Sequence, residues 1–276
     1  MKWGYLYQGQ FCNWQKKRRG TPAFDLKAAS FIVFLQNHDQ IANTPGGRRL
    51  DRMTSPGRLR AITALMLLAP GTPALFQGQE FAASAPFHFF ADHHEELARL
   101  VRSGRARSLM QFRSAACPES QERLASPDDP ATFRACRLDF SERERHAEVY
   151  RLHRDLLRLR REDTVIRAQD AHRIHGAVLG PEALALRFFG KDGDDRLAIV
   201  NLGRDLHLTA APEPLLAPPE DARWTTLWSS EDPRYGGNGT PLPDGEDGWR
   251  LPGHTTVVLS PGPAPDPARS QTATPS

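Results

Sequence analysis

The sequence has 276 residues, enough for one large domain or two small ones with a buried core. With 39% hydrophobic and 25% charged residues, its composition is that of an ordinary globular protein and excludes a wholly disordered one. Lys plus Arg number 36 against 33 Asp plus Glu, and a net charge of +3 is too small to imply a nucleic-acid partner.

The first ~28 residues interleave Trp3, Tyr5, Tyr7, Phe11 and Trp14 with polar residues and show no clean period, so they read as an ordered loop. Residues 31–35, Phe-Ile-Val-Phe-Leu, form an apolar run of strand length, the pattern of a strand buried on both faces. The run ends in Gln36-Asn37-His38-Asp39-Gln40. A helix is predicted over 56–69, with Ser55 as N-cap, Pro56 in its first turn and Pro70-Gly71 as its stop. Residues 73–77 read as a second short buried strand, ending in Gly78-Gln79-Glu80. Strand, helix, strand with polar groups at both strand ends is the pattern of a parallel βαβ unit.

An insertion follows over 81–139, with an aromatic knot at Phe87-His88-Phe89-Phe90 and a helix from Asp92 to about Phe112. A single helix is predicted over 141–161, because Val149, Leu152, Leu156 and Leu159 share one face and Arg and Glu fill the other. Beyond Asp163, strands are expected at 183–189, 196–201, 225–228 and 255–259, separated by Gly- and Asp-rich turns, as in a small antiparallel β domain. The tail over 261–276 is rich in Pro, Ala, Ser and Thr and is expected to be disordered.

The chemistry concentrates at 36–40. In parallel α/β folds, residues just beyond the strands' carboxyl ends build the site. Asn37, His38 and Asp39 delivered there could bracket sugar hydroxyls, and the carboxylate could stabilise a developing oxocarbenium ion. The same residues could instead serve only as turn and cap hydrogen-bonding groups.

Residues 34–39 resemble the fourth short sequence motif of the α-amylase superfamily (glycoside hydrolase family 13). The form FLQNHDQ is similar to that of its malto-oligosyltrehalose trehalohydrolase branch. Gly4 to Gln10, Thr72 to Glu80, Ala83 to His93 and Leu227 to Gly237 resemble the same branch as an ordered set covering nearly the whole chain except the tail. One local departure is Gly78-Gln79-Glu80, where the branch shows Gly-Glu-Glu.

The resemblance implies an α/β fold: the last two βα units and insertion of a (β/α)8 TIM barrel over 1–162, then an antiparallel β-sandwich over 163–260 and the tail over 261–276. It implies hydrolysis of the α-1,4-glucosidic bond next to the trehalose of a malto-oligosyltrehalose or related α-glucan, with no cofactor or metal. Asp39 corresponds to the transition-state-stabilising carboxylate and His38 to the histidine holding the same sugar. Gln36, Asn37, Phe87, Phe89, Asp92 and His93 are the further candidate substrate-binding residues. The family's nucleophile and acid/base precede this motif, so both are expected to be absent from this chain, with a missing amino-terminal barrel half as partner. A truncated gene product, a mis-called start and a split enzyme all remain open, as does a non-catalytic carbohydrate-binding or interaction fragment.

Other features point away from alternative chemistry. Glu80 reads as a rim carboxylate. Adjacent histidines in His93-His94-Glu95-Glu96 diverge on a helix, and Lys16-Lys17-Arg18-Arg19 is too short for a nucleic-acid patch. Cys12, Cys117 and Cys136 are odd in number and widely spaced, so neither disulfides nor zinc is expected and a cytoplasmic location is. Met1 opens on polar and aromatic residues, and the longest apolar run, 61–69, is too short to span a bilayer, so neither a secretory leader nor a membrane partner is expected.

Overall fold

The computed structural model describes residues 4–122, 124–245 and 248–263. In chain order the strands are β1 (Phe11–Cys12), β2 (Lys17–Arg18), β3 (Ile32–Val33), β4 (Thr72–Pro73), β5 (Ile174–Gly180), β6 (Ala183–Phe188), β7 (Arg196–Asn201), β8 (Leu206–Leu208), β9 (Ala222–Ser229), β10 (Asp244–Gly245), β11 (Gly248–Leu251) and β12 (Thr255–Pro263). The α-helices are α1 (His38–Ala42), α2 (Pro56–Leu68), α3 (Glu95–Leu109), α4 (Pro118–Glu122), α5 (Pro130–Ala135), α6 (Glu142–Arg145) and α7 (Ala147–Glu162). The fold is mixed α/β. It divides into two compact units, and the division falls within α2 and within α7.

The first unit takes in the chain up to Val33, then Arg60–Pro73 and everything from Arg151 onward. Its main body is an antiparallel sheet of order β5-β6-β7-β12-β9, accompanied by a smaller sheet of order β10-β11-β8. Ala185, Leu197, Ile199, Val257 and Leu259 from the larger sheet share one core with Trp249 and Leu251 from the smaller, and Trp224 and Leu216 complete it. Every residue of β7 is buried, as its continuous apolar run predicts. The strands expected over 183–189, 196–201, 225–228 and 255–259 all form. β12 runs on to Pro263, so the first residues of the expected disordered tail pair with β9 instead; the remainder of that tail lies outside the described residues.

The expected parallel βαβ unit is present, because β3 and β4 pair in parallel around α2. Its strands are shorter than the apolar runs suggested. Contrary to expectation, β3 is not buried on both faces: Ile32 is 67% exposed. Among the described residues β3 and β4 have only each other as ladder neighbours, so no wider sheet pairs with their outer edges. The helix between them matches its forecast within one residue. Ser55 Oγ accepts the Arg58 amide at 3.2 Å, satisfying one donor of its first turn. The other end of α2 is closed by Arg160 of α7. Its guanidinium donates to the carbonyls of Leu67 (2.8 Å) and Gly71 (2.6 Å) and to that of Ala69.

The second unit comprises Phe34–Leu59 and Ala74–Tyr150. Its organising side chain is Arg49, 2% exposed, whose Nε donates to the Ala85 carbonyl at 2.6 Å and Nη1 to the Gln77 carbonyl at 2.7 Å. Burial pushes this guanidinium below its ordinary pKa. α3 starts three residues later than predicted, because His94 serves as N-cap, its Nδ1 accepting the Leu97 amide at 3.5 Å.

The single helix expected over 141–161 is two. His146 leaves helical geometry between α6 and α7, held by its Nδ1 contact to the Phe81 carbonyl at 2.9 Å. Buried Glu142 just upstream accepts the Ser84 amide at 2.9 Å. On α7 the predicted stripe is realised at Leu152 and Leu156, both fully buried. The buried face is wider than the leucine stripe, since His153, Asp155 and Arg160 beside it are buried too, while Arg154, Arg158 and Arg161 on the opposite face are exposed as expected.

Candidate functional site

The segment 36–40 lies in the second unit, and the structure shows how its four candidates differ. Gln36 is buried, and its Oε1 accepts the Leu50 amide at 2.9 Å, so it is committed to holding the loop after α1. Asn37 caps α1: its Oδ1 accepts the amides of Asp39 (2.9 Å) and Gln40 (3.2 Å), while its own amide donates to Gln40 Oε1 at 2.9 Å. That reciprocal capping box takes up the Asn37 side-chain oxygen. It also fixes the direction in which the next two side chains leave the backbone. His38 and Asp39 occupy the first turn of α1, are 65% and 74% exposed, and approach each other at 3.6 Å.

Asp39 therefore stands in solvent on a braced turn, free of structural duty. An arginine accompanies it. Arg105 of α3 donates to the Ala42 carbonyl at the end of α1 (2.9 Å) and lies 5.1 Å from the centre of the exposed Phe89 ring. Burial lowers the Arg105 pKa, and the nearby Asp39 charge opposes that shift. Arg105 thus ties the carboxylate's helix, the carboxylate's field and the Phe89 face into one cluster. Sequence reasoning missed it, since one arginine on an amphipathic helix carries no local signal.

The remaining candidates separate. Phe87 packs edge-on against Phe76 (5.0 Å) and Phe90 (5.9 Å), and Phe90 packs on Phe133 (5.2 Å). The knot is therefore largely an internal aromatic cluster, with Phe89 its member beside Arg105. The knot is fastened to the loop after α1 by the Phe87 amide, which donates to the Gly47 carbonyl at 3.0 Å. Gly47 is in the left-handed region (φ +62°), and a Cβ there would stand 2.6 Å from the Phe87 carbonyl oxygen, so that close approach needs glycine. Asp92 and His93 are exposed in the segment preceding α3. Glu80 is drawn instead toward Arg143, 4.0 Å away.

The polar neighbours of Asp39 are thus the His38 imidazole and the Arg105 guanidinium. Such a carboxylate can accept hydrogen bonds from a polyol and stabilise positive charge, and the exposed Phe89 ring offers a flat apolar face to a sugar. Among the described residues, no group of three His, Cys, Asp or Glu could hold a metal ion, and no helix is long and apolar enough to cross a membrane.

Comparison with known proteins gives the site a context. Residues 171–258 match a family described as a domain of unknown function, DUF3459. The malto-oligosyltrehalose trehalohydrolase of Deinococcus radiodurans is 39% identical over 211 residues, covering 75% of this chain and 34% of the relative. That of Arthrobacter ramosus is 36% identical over 182 residues, covering 63% and 30%. Among solved structures, a Salmonella typhimurium protein described as an α-amylase superposes with a TM-score of 0.69 at 27% identity, covering 92% of this chain and 39% of that one. Trehalose-6-phosphate hydrolase of Bacillus licheniformis superposes at 0.51 with 16% identity over 84% of this chain and 43% of its own, a likeness of fold alone. The chain spans about a third of the length of the curated relatives it matches.

Proposed function

We propose that this chain, which belongs to the malto-oligosyltrehalose trehalohydrolase family, contributes the transition-state-stabilising carboxylate to hydrolysis of the α-1,4-glucosidic bond next to the trehalose of a malto-oligosyltrehalose. The observation that carries the reading is Asp39 itself, exposed on a capped turn, with His38 at 3.6 Å and Arg105 packed against the end of the same helix. In the proposed architecture residues 1–162 are the last two βα units of a (β/α)8 barrel and residues 163–260 a β-sandwich, in a cytoplasmic enzyme that needs no cofactor.

Retaining hydrolysis uses two carboxyl groups roughly 5 Å apart, a nucleophile and a proton donor. Asp39 fills neither role in this reading. As positive charge develops on the anomeric carbon and ring oxygen, the Asp39 carboxylate stabilises it and accepts from the sugar's hydroxyls. His38 holds the same sugar, and Arg105 positions Asp39 through α1. The nucleophile and proton donor are assigned to the part of the relatives' length that this chain does not span.

The test is a chimera in which this chain replaces the matching segment of the Deinococcus enzyme. Trehalose release from maltotriosyl-trehalose is expected, falling roughly 100- to 1,000-fold in Asp39→Asn, the size of effect of removing one group that stabilises transition-state charge. Unchanged turnover in that variant would refute the assignment. A chimera that binds the substrate without turnover in any form would favour a non-catalytic carbohydrate-binding role. The chain alone should release no trehalose.

A further inference from the structure

The segment Leu227 to Gly237, prominent in the sequence, plays no part in the Asp39 site. Within the first unit it forms one side of a cleft of about 650 Å³, whose other wall is the carboxyl-terminal half of α7. Trp228 is half-buried at this cleft, and a relay fixes its indole. The Trp228 Nε1–H donates to the Tyr235 hydroxyl at 3.2 Å, which in turn donates to Asp155 Oδ2 at 3.0 Å. Asp155 Oδ1 lies 3.4 Å from Arg154 and 3.5 Å from Arg158. Burial, reinforced by the Asp155 charge, pushes the Tyr235 hydroxyl up to about 12, so it remains a donor across the physiological range.

The lining chemistry selects a ligand class. The two lining guanidiniums already have carboxylate partners, Arg158 with Asp155 and Arg234 with Asp232, and Asp163 is paired with Arg196, which argues against a phosphate or another anion. Polar groups interrupt the apolar surface throughout, which argues against a lipid. A fixed indole beside exposed Thr226 and Glu162 is suited to a neutral polyol, whose ring carbons stack on the aromatic face while its hydroxyls bond the rim.

We infer that this cleft is a second carbohydrate-binding site, taking a gluco-oligosaccharide against Trp228 and holding the polymer at a point separate from the Asp39 cluster. The inference rests on the α-glucan reading of the chain but does not need Asp39 to be catalytic.

The experiment is titration of the purified chain with maltoheptaose, followed by the indole N–H resonances of ¹⁵N-labelled tryptophan, with Trp228 assigned from Trp228→Phe. The Trp228 signal should shift saturably. Glu162→Ala, at an exposed position, should weaken that titration about three- to tenfold, the size of one charge-assisted hydrogen bond in a solvated site. Asp39→Asn should leave it unchanged. A Trp228 signal that stays still in the folded chain, or an affinity untouched by Glu162→Ala, would overturn the site. Loss of turnover in the Asp39→Asn chimera bears on the other reading alone, so the two can fail separately.

Discussion

Arg160 closes the end of α2 with one guanidinium on three main-chain carbonyls, and replacing it by methionine tests how much of the first unit's stability rests there. The side chain is 7% exposed, so water cannot take over its bonds to Leu67, Ala69 and Gly71. Methionine fills similar space with no donor, leaving three buried acceptors unpaired at about 1–3 kcal/mol each. Relief of burying the guanidinium, whose pKa burial already lowers, offsets part of that cost. A net loss of about 3–5 kcal/mol is the expected outcome. For a protein of this size it corresponds to a fall in Tm of roughly 6–20 °C. Arg160→Lys should fall between the two, because one ammonium cannot span three acceptors in a planar fork. Urea unfolding followed by tryptophan fluorescence reads the change directly, since Trp224, Trp228 and Trp249 all lie in this unit. A loss below about 0.5 kcal/mol for methionine, the range of an ordinary surface change, would refute the reasoning.

Three further outcomes are expected. Asn37→Ala removes the capping box and should cost about 1 kcal/mol; because α1 carries Asp39, it should also lower kcat of the chimera, whereas Asn37→Ser should restore both. Arg105→Met should keep the fold by circular dichroism while reducing chimera turnover with little change in KM, and an unaltered kcat would remove Arg105 from the site. The carboxyls of Asp128, bonded to Arg102, and Asp139, bonded to Ser141 and Arg145, are both held down to about 2 from an ordinary 3.8. A depressed carboxyl pKa contributes stability that is present above pH 4 and lost as pH falls toward 2. Acid unfolding of the double Asn variant should therefore lack part of the wild-type loss between pH 4 and 2, and identical profiles would discount both pairs.

Legibility in the sequence followed the range of the interactions. Ser55-Pro56 and Pro70-Gly71 bound α2 within a residue because caps and stops are local chemistry. β7 and β12 were legible as continuous apolar runs, whereas β5, with Gly176 and Gly180 and an irregular burial pattern, offered no period to read. The break at His146 is invisible to periodicity, since it depends on Phe81 and Ser84, some 60 residues earlier. At the candidate site, the capping box was present as Asn37 and Gln40, three apart. Those residues stood out as polar chemistry, although Asn37 and Gln36 are largely spent on structure. Arg105 could be found only once α3 was placed against α1.

The division of labour within 36–40 explains why a short helix can carry a reactive carboxylate. An isolated five-residue helix does not hold itself together, because nucleation costs more than so few hydrogen bonds return. α1 persists because Asn37 and Gln40 satisfy its first turn, Gln36 ties the segment that enters it to Leu50, and Arg105 binds its last carbonyl. Each of these contacts uses a neighbouring side chain and leaves the Asp39 carboxylate unencumbered. A residue kept only for folding would be expected to share that work. The one carboxylate in the segment relieved of it, with an imidazole and a guanidinium nearby, is the group available to a substrate.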